Sequence, residues 1–224
     1  MFSIFKELIR LLSNRETTSQ LSIRTVIGVT SAVLGFLIVL SILFTPSGQQ
    51  ISYHFITDNG LNNVASAFLL VAAATFVFSV QTIEKRIAGQ KTWPWMLLTF
   101  GFLFLAVDEV FQVHEIIGKI MEGYSGAGPF RSWNTAMVVL YGFIAVPIGW
   151  LVFPYMLRVR AMPELMLTAF LFYTAHTLID SLVTESSSLT HVVEESFKLF
   201  CSGYLALSSY AAFVWAVSKV SRKF

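Results

Sequence analysis

The stretch TWPWMLLTFGFLFLAVDE, residues 92–109, decides the fold because it is too long and too apolar for a soluble domain. It holds 16 consecutive residues without a charge before Asp108 and Glu109. A helix of that length rises about 24 Å at about 1.5 Å per residue, which crosses most of a hydrocarbon core of about 30 Å. We therefore expect the two acids to lie just inside the far boundary of a membrane.

The composition of the whole chain agrees with a membrane protein. Hydrophobic residues make up 55% of the sequence and charged residues only 12%, against about 25% charged in soluble proteins. The chain is predicted to be an all-α polytopic integral membrane protein with six transmembrane helices, over residues 25–44, 64–83, 93–114, 134–157, 165–183 and 195–218. The single cysteine excludes a disulfide within the chain and cysteine-based metal clusters.

The positions of the charges predict the orientation. With the N-terminus inside, 12 of the 15 basic residues fall on the cytoplasmic side, which is the pattern of the positive-inside rule. We therefore predict an N-in, C-in protein of a bacterial inner (plasma) membrane. Its basic face suits anionic lipid as a partner. Nothing in the pattern indicates nucleic acid.

The N-terminal segment differs from the rest of the chain. Apolar residues recur at helical spacing at Phe2, Phe5, Ile9 and Leu12, with charged residues between them. This pattern predicts a short amphipathic helix on the cytoplasmic surface. Residues 1–20 are thus interpreted as a surface helix with its linker, and residues 21–224 as a single transmembrane domain.

Ionisable side chains collect at one depth near the outer face. Three predicted spans contribute to this layer: Asp108, Glu109, His114 and Glu115 belong to the third, His176 and Asp180 to the fifth, and His191, Glu194 and Glu195 to the sixth. Pairs three, four or seven residues apart share a helix face. If the three spans are neighbours, these side chains converge.

Converging imidazoles and carboxylates are typical of a metal site inside a helix bundle. The mixed set favours a divalent ion such as zinc, iron or manganese. The predicted ligands are Asp108, His114, Glu115, His176, Asp180, His191, Glu194 and Glu195, with Glu109 as a candidate catalytic general base. In this interpretation the protein is a metal-dependent membrane hydrolase that acts on a lipid amide or ester.

Two other functions fit the same pattern. The chain is small and has no soluble domain, as expected of a non-enzymatic accessory or assembly subunit that binds partner membrane subunits. Proton or cation transport is the third alternative, although ionisable residues are missing from the inner half of the predicted spans. Lys198, four residues after Glu194, is expected to form an ordinary ion pair with it.

Overall fold

The chain folds into a bundle of helices. A computed structural model describes residues 23–56, 60–88, 92–126, 132–182 and 187–221, which form eight helices and no strand. The helices are α1 (Ile23–Leu43), α2 (Tyr53–Ile56), α3 (Leu61–Ala88), α4 (Trp93–Phe111), α5 (Val113–Ser125), α6 (Trp133–Met156), α7 (Met162–Leu182) and α8 (Ser188–Ser221). All but α2 and α5 are long and apolar enough to cross a membrane. The prediction of an all-α fold with six helices long and apolar enough to span a membrane is confirmed.

The spanning helices alternate in direction. One end of the bundle therefore carries the start of α3, α6 and α8 and the end of α4 and α7, and we call it the acidic end. The other is the basic end. The predicted N-terminal amphipathic helix lies outside the described residues. The N-in, C-in orientation and the identity of the membrane stay predictions.

Helix α3 lies at the centre of the packing, between α4 and α8. Its residues Ala73, Val77 and Val80 are buried and recur three or four positions apart, so they share one face. Trp95 of α4 and Trp215 of α8 belong to the same core, with ring centroids 6.4 Å apart. Small residues on α3 let these large rings pack closely, which holds the three helices together.

A buried ion cluster joins the helices at the basic end. Glu84 of α3 is 1% exposed. Its Oε1 lies 3.4 Å from the Nζ of Lys219 on α8, and its Oε2 lies 3.9 Å from a guanidinium nitrogen of Arg158, just after α6. A buried carboxylate needs such opposing charges to be stable. The cluster therefore serves to hold the helices together at the basic end.

Two spanning helices are mostly exposed. Only 11% of the most apolar window of α1 and 6% of that of α6 are buried. Helix α1 contacts α8 at Gly203, where an added Cβ would lie 2.5 Å from a Leu34 methyl carbon, and through a 2.9 Å hydrogen bond between Ser31 and Tyr204. The remaining apolar faces of both helices are suited to contact with lipid.

At the acidic end, two predicted span boundaries differ from the observed helix ends. Helix α4 ends at Phe111 rather than near residue 114, because Gln112 adopts a left-handed conformation with φ 50° and ψ 45°. Asp108 and Glu115, expected on one helix face, therefore lie on different helices. Helix α8 begins at Ser188 rather than near residue 195, and the Ser187 hydroxyl accepts a 3.1 Å hydrogen bond from the Thr190 backbone N–H.

The short helix α5 turns back over the acidic end. It packs against the start of α6 at Gly118, where an added Cβ would lie 2.8 Å from the backbone nitrogen of Asn134. Only glycine permits so close an approach. This contact holds the start of α5, including His114, close to the side chains of the spanning helices.

Candidate functional site

A cavity of about 480 Å³ opens at the acidic end of the bundle. Its wall includes all nine predicted site residues: Asp108, Glu109, His114, Glu115, His176, Asp180, His191, Glu194 and Glu195. The predicted convergence required the third, fifth and sixth spans to be neighbours. Helices α7 and α8, the fifth and sixth spans, pack directly against each other. Helix α4 packs mainly against α3, so its side chains reach the others across the cavity.

Asp108 and His114 form a hydrogen-bonded pair across the break between α4 and α5. The Asp108 Oδ2 lies 2.8 Å from the His114 Nδ1, and its Oδ1 accepts a 2.9 Å bond from the His114 backbone N–H. The Tyr141 hydroxyl donates to the same Oδ1 at 3.2 Å. With Nδ1 protonated and donating to the carboxylate, the Nε2 of His114 is the nitrogen that could accept a proton.

Lys198 links three helices within the cavity wall. Its Nζ lies 3.0 Å from the Glu109 Oε1 on α4 and 2.5 Å from the Glu195 Oε2 on α8. It also donates to the Asn63 Oδ1 on α3 at 3.3 Å. The expected pairing of Lys198 with Glu194 is wrong, because the helix register directs the ammonium towards Glu195 and the approach of α4 supplies Glu109.

His176, Glu194 and Glu195 lie closest to the geometry of a metal site. Each offers a ligand atom, and these atoms lie within 4.8 Å of one another. The His176 Nδ1 lies 3.2 Å from the Glu194 backbone oxygen, so it can donate there and leave Nε2 with its lone pair. Histidine ligands of metals commonly make such a second hydrogen bond. We call these three residues the triad.

The other predicted ligands lie around the triad. Within the ranges that the structure describes, no second set of three such residues brings its ligand atoms as close together. Asp180 accepts a 2.8 Å hydrogen bond from the Thr135 hydroxyl. The Glu115 carboxylate pairs with the exposed Lys119 at 3.2 Å. The His191 Nδ1 lies 3.9 Å from the Glu194 Oε2, at the edge of the triad.

The cavity wall has a strong excess of negative charge. Six carboxylates line it, and among the described residues of that lining Lys198 is the one lysine or arginine, beside three histidines. A cavity with low-dielectric walls and charges of one sign concentrates counter-ions. The cavity is therefore suited to a cation or to a cationic group of a larger ligand.

Sequence reasoning missed several polar side chains of the site. Tyr141, Thr135 and Asn63 bond Asp108, Asp180 and Lys198 respectively. Tyr141 carried a usable signal, since it lies well inside an apolar span rather than at an end, where tyrosine is enriched. Thr135 and Asn63 lie at span ends, where polar residues are common, and had no comparable signal.

Comparison with known proteins adds a family but no named function. The model of a family described as a domain of unknown function (DUF8692) matches residues 23–218. Neither a curated protein nor a solved structure matches the chain.

Proposed function

The chain belongs to the DUF8692 family, and we propose that it is a membrane-embedded, metal-dependent hydrolase that acts on a lipid. The observation that carries the proposal is the triad, whose ligand atoms lie within 4.8 Å of one another in the wall of the acidic-end cavity. His176 and Glu194 are each 9% exposed, so the site is largely shielded from solvent.

Zinc, iron and manganese accept an imidazole and two carboxylates as ligands. Three protein ligands leave a coordination position open, which is the arrangement of catalytic rather than structural sites. A divalent ion in this position would polarise a substrate carbonyl and lower the pKa of a bound water. The charge of the ion would also offset the excess of carboxylates in the cavity.

His114 is better placed for proton transfer than Glu109. The Glu109 carboxylate lies 3.0 Å from the Lys198 ammonium and is occupied by that ion pair. His114 instead has a carboxylate partner on Nδ1, the arrangement that orients an imidazole and leaves Nε2 as the nitrogen that could exchange a proton. We therefore assign general acid–base transfer to His114 and the positioning of its ring to Asp108.

A non-enzymatic accessory subunit is the second candidate. It is favoured by α6, whose residues Phe143 and Trp150 are 72% and 76% exposed. A partner membrane helix could cover that face, and the triad would then hold a structural cation. Isolation of the protein from its native membrane with a partner in constant proportion would support this alternative.

Chelation tests the enzymatic proposal. Purified protein in detergent or nanodiscs is incubated with long-chain lipid esters and amides, and the released products are measured by mass spectrometry. We expect turnover that stops after treatment with a chelator and returns with one of zinc, iron or manganese. Turnover that is unaffected by complete metal removal, or its absence in all metal-loaded samples, would contradict a metal-dependent hydrolase.

A further inference from the structure

A second cavity, of about 470 Å³, forms an apolar groove between α4, α6 and α7. Its lining residues are apolar apart from Tyr141, Tyr173 and Cys201. Gly101 and Gly149 form part of the wall, and a Cβ added at either would meet no atom within 4 Å. A volume of this size is within the usual range of small-molecule sites, about 300–1,000 Å³.

The groove is open to the bilayer along its side. Phe104, Ile144 and Leu167 belong to its lining and are 48%, 48% and 59% exposed. Its lining on α6 extends from Tyr141 to Met156, which is about 22 Å along a helix axis. One leaflet accounts for about 15 Å, half of a core of about 30 Å. The groove is therefore long enough for one extended lipid chain that enters sideways from the membrane.

The groove and the acidic-end cavity share part of their lining, which we call the neck. Five residues line both spaces: Leu105, Tyr141, Tyr173, Cys201 and Leu205. Two of the five are tyrosines, whose ring faces attract cations. Beyond the neck lie the six carboxylates and Lys198. The lining thus changes from apolar in the groove to partly aromatic at the neck and to anionic in the cavity.

We propose that the groove and the cavity together bind a single-chain lipid with an amine head. The chain lies in the groove, and the ammonium lies past the neck among the carboxylates. A fatty acid would bring a further carboxylate to that wall and is disfavoured. The inference deepens the proposed function by naming a class of substrate, a single-chain lipid ester or amide whose head carries an amine. It rests on that function for the reaction only, because binding of the chain and the ammonium needs no metal.

Photo-crosslinking tests the proposal. The probe is a long-chain alkylamine with a diazirine in mid-chain, added to metal-free protein in phosphatidylcholine nanodiscs, and labelled peptides are mapped by mass spectrometry. We expect saturable labelling of α4, α6 and α7 that unlabelled alkylamine competes away. A fatty acid probe of equal chain length should label the groove about tenfold less at equal concentration, as a difference of about 1.4 kcal/mol in binding would give.

Matched glycine variants separate the groove from ordinary lipid contact. Gly149→Phe fills the groove and should reduce labelling about tenfold, again about 1.4 kcal/mol of binding. Gly101→Leu is a second groove variant, in case the first fails to fold. Gly28→Phe is the control, since Gly28 of α1 also has open space around its Cβ position but does not line the groove.

The crosslinking results test the lipid site and the head group separately. Labelling that does not saturate, or that folded groove variants leave unchanged, would overturn the lipid site. Equal labelling by amine and fatty acid probes would overturn the proposed head group. Because the crosslinking is done on metal-free protein, its result stands whether or not the triad binds a metal.

Discussion

Replacing Lys198 with methionine is expected to destabilise the protein by about 3–5 kcal/mol, the cost of leaving a buried ion pair without one partner. The methionine keeps much of the side-chain volume but removes the ammonium that lies between Glu109 and Glu195. Both carboxylates are nearly buried, with side chains 11% and 14% exposed, so neither is well solvated after the change. Thermal unfolding in detergent, followed by circular dichroism, measures the effect.

Lys119→Met is the matched control for this experiment. Lys119 pairs with Glu115 at 3.2 Å, but its side chain is 69% exposed. Exposed pairs contribute about 0–1 kcal/mol, so this variant should unfold close to the wild-type temperature. Equal unfolding temperatures for the two variants would show that Lys198 does not hold the cavity wall together.

Replacing Asp108 with asparagine is expected to reduce kcat for lipid hydrolysis by about 10²–10⁴-fold. An amide in place of the carboxylate can donate to the His114 Nδ1 instead of accepting from it, which favours the wrong tautomer of the ring. Because Asp108 is not part of the triad, the metal content should stay at the wild-type level. Steady-state kinetics and metal analysis on the same preparation separate the two effects.

Asp180→Asn is the matched control for Asp108→Asn. Asp180 lines the same cavity, and its Oδ2 accepts a hydrogen bond from the Thr135 hydroxyl. We expect it to change kcat by less than about tenfold, because it does not orient the group that transfers protons. An equal loss of activity in both variants, or a loss of metal in Asp108→Asn, would contradict the assigned role of the Asp108–His114 pair.

The sequence was sufficient to predict the spanning helices and the shared level of their ionisable side chains. Hydropathy depends on local composition, and the bilayer sets the length of each span, so six apolar runs predicted six helices. The start of α8 also had a local signal in Ser187, a good N-cap residue, which hydropathy alone overlooked. Convergence at the acidic end followed from the alternating direction of the spans.

The finer geometry of the site could not be predicted in this way. Helix α4 ends just before Gln112, and no glycine or proline in the sequence marks that end. Gln112 adopts the left-handed conformation that glycine usually adopts, so the residue type gives no warning of the break. The partners of Lys198 depend on how α3, α4 and α8 approach one another, which one sequence does not specify. The groove depends equally on tertiary packing, since its glycines also suit an ordinary helix contact.

Metal analysis of the purified protein tests the central claim most directly. The protein is prepared without added metal and measured by inductively coupled plasma mass spectrometry, beside Glu194→Gln and a His54→Ala control. The His54 Nε2 lies 3.1 Å from the Phe44 carbonyl oxygen and the residue does not line the cavity. We predict about one equivalent of zinc, iron or manganese in the wild type and the control, and almost none in Glu194→Gln. A folded wild-type protein that holds no divalent metal, even after incubation with all three ions, would contradict the account.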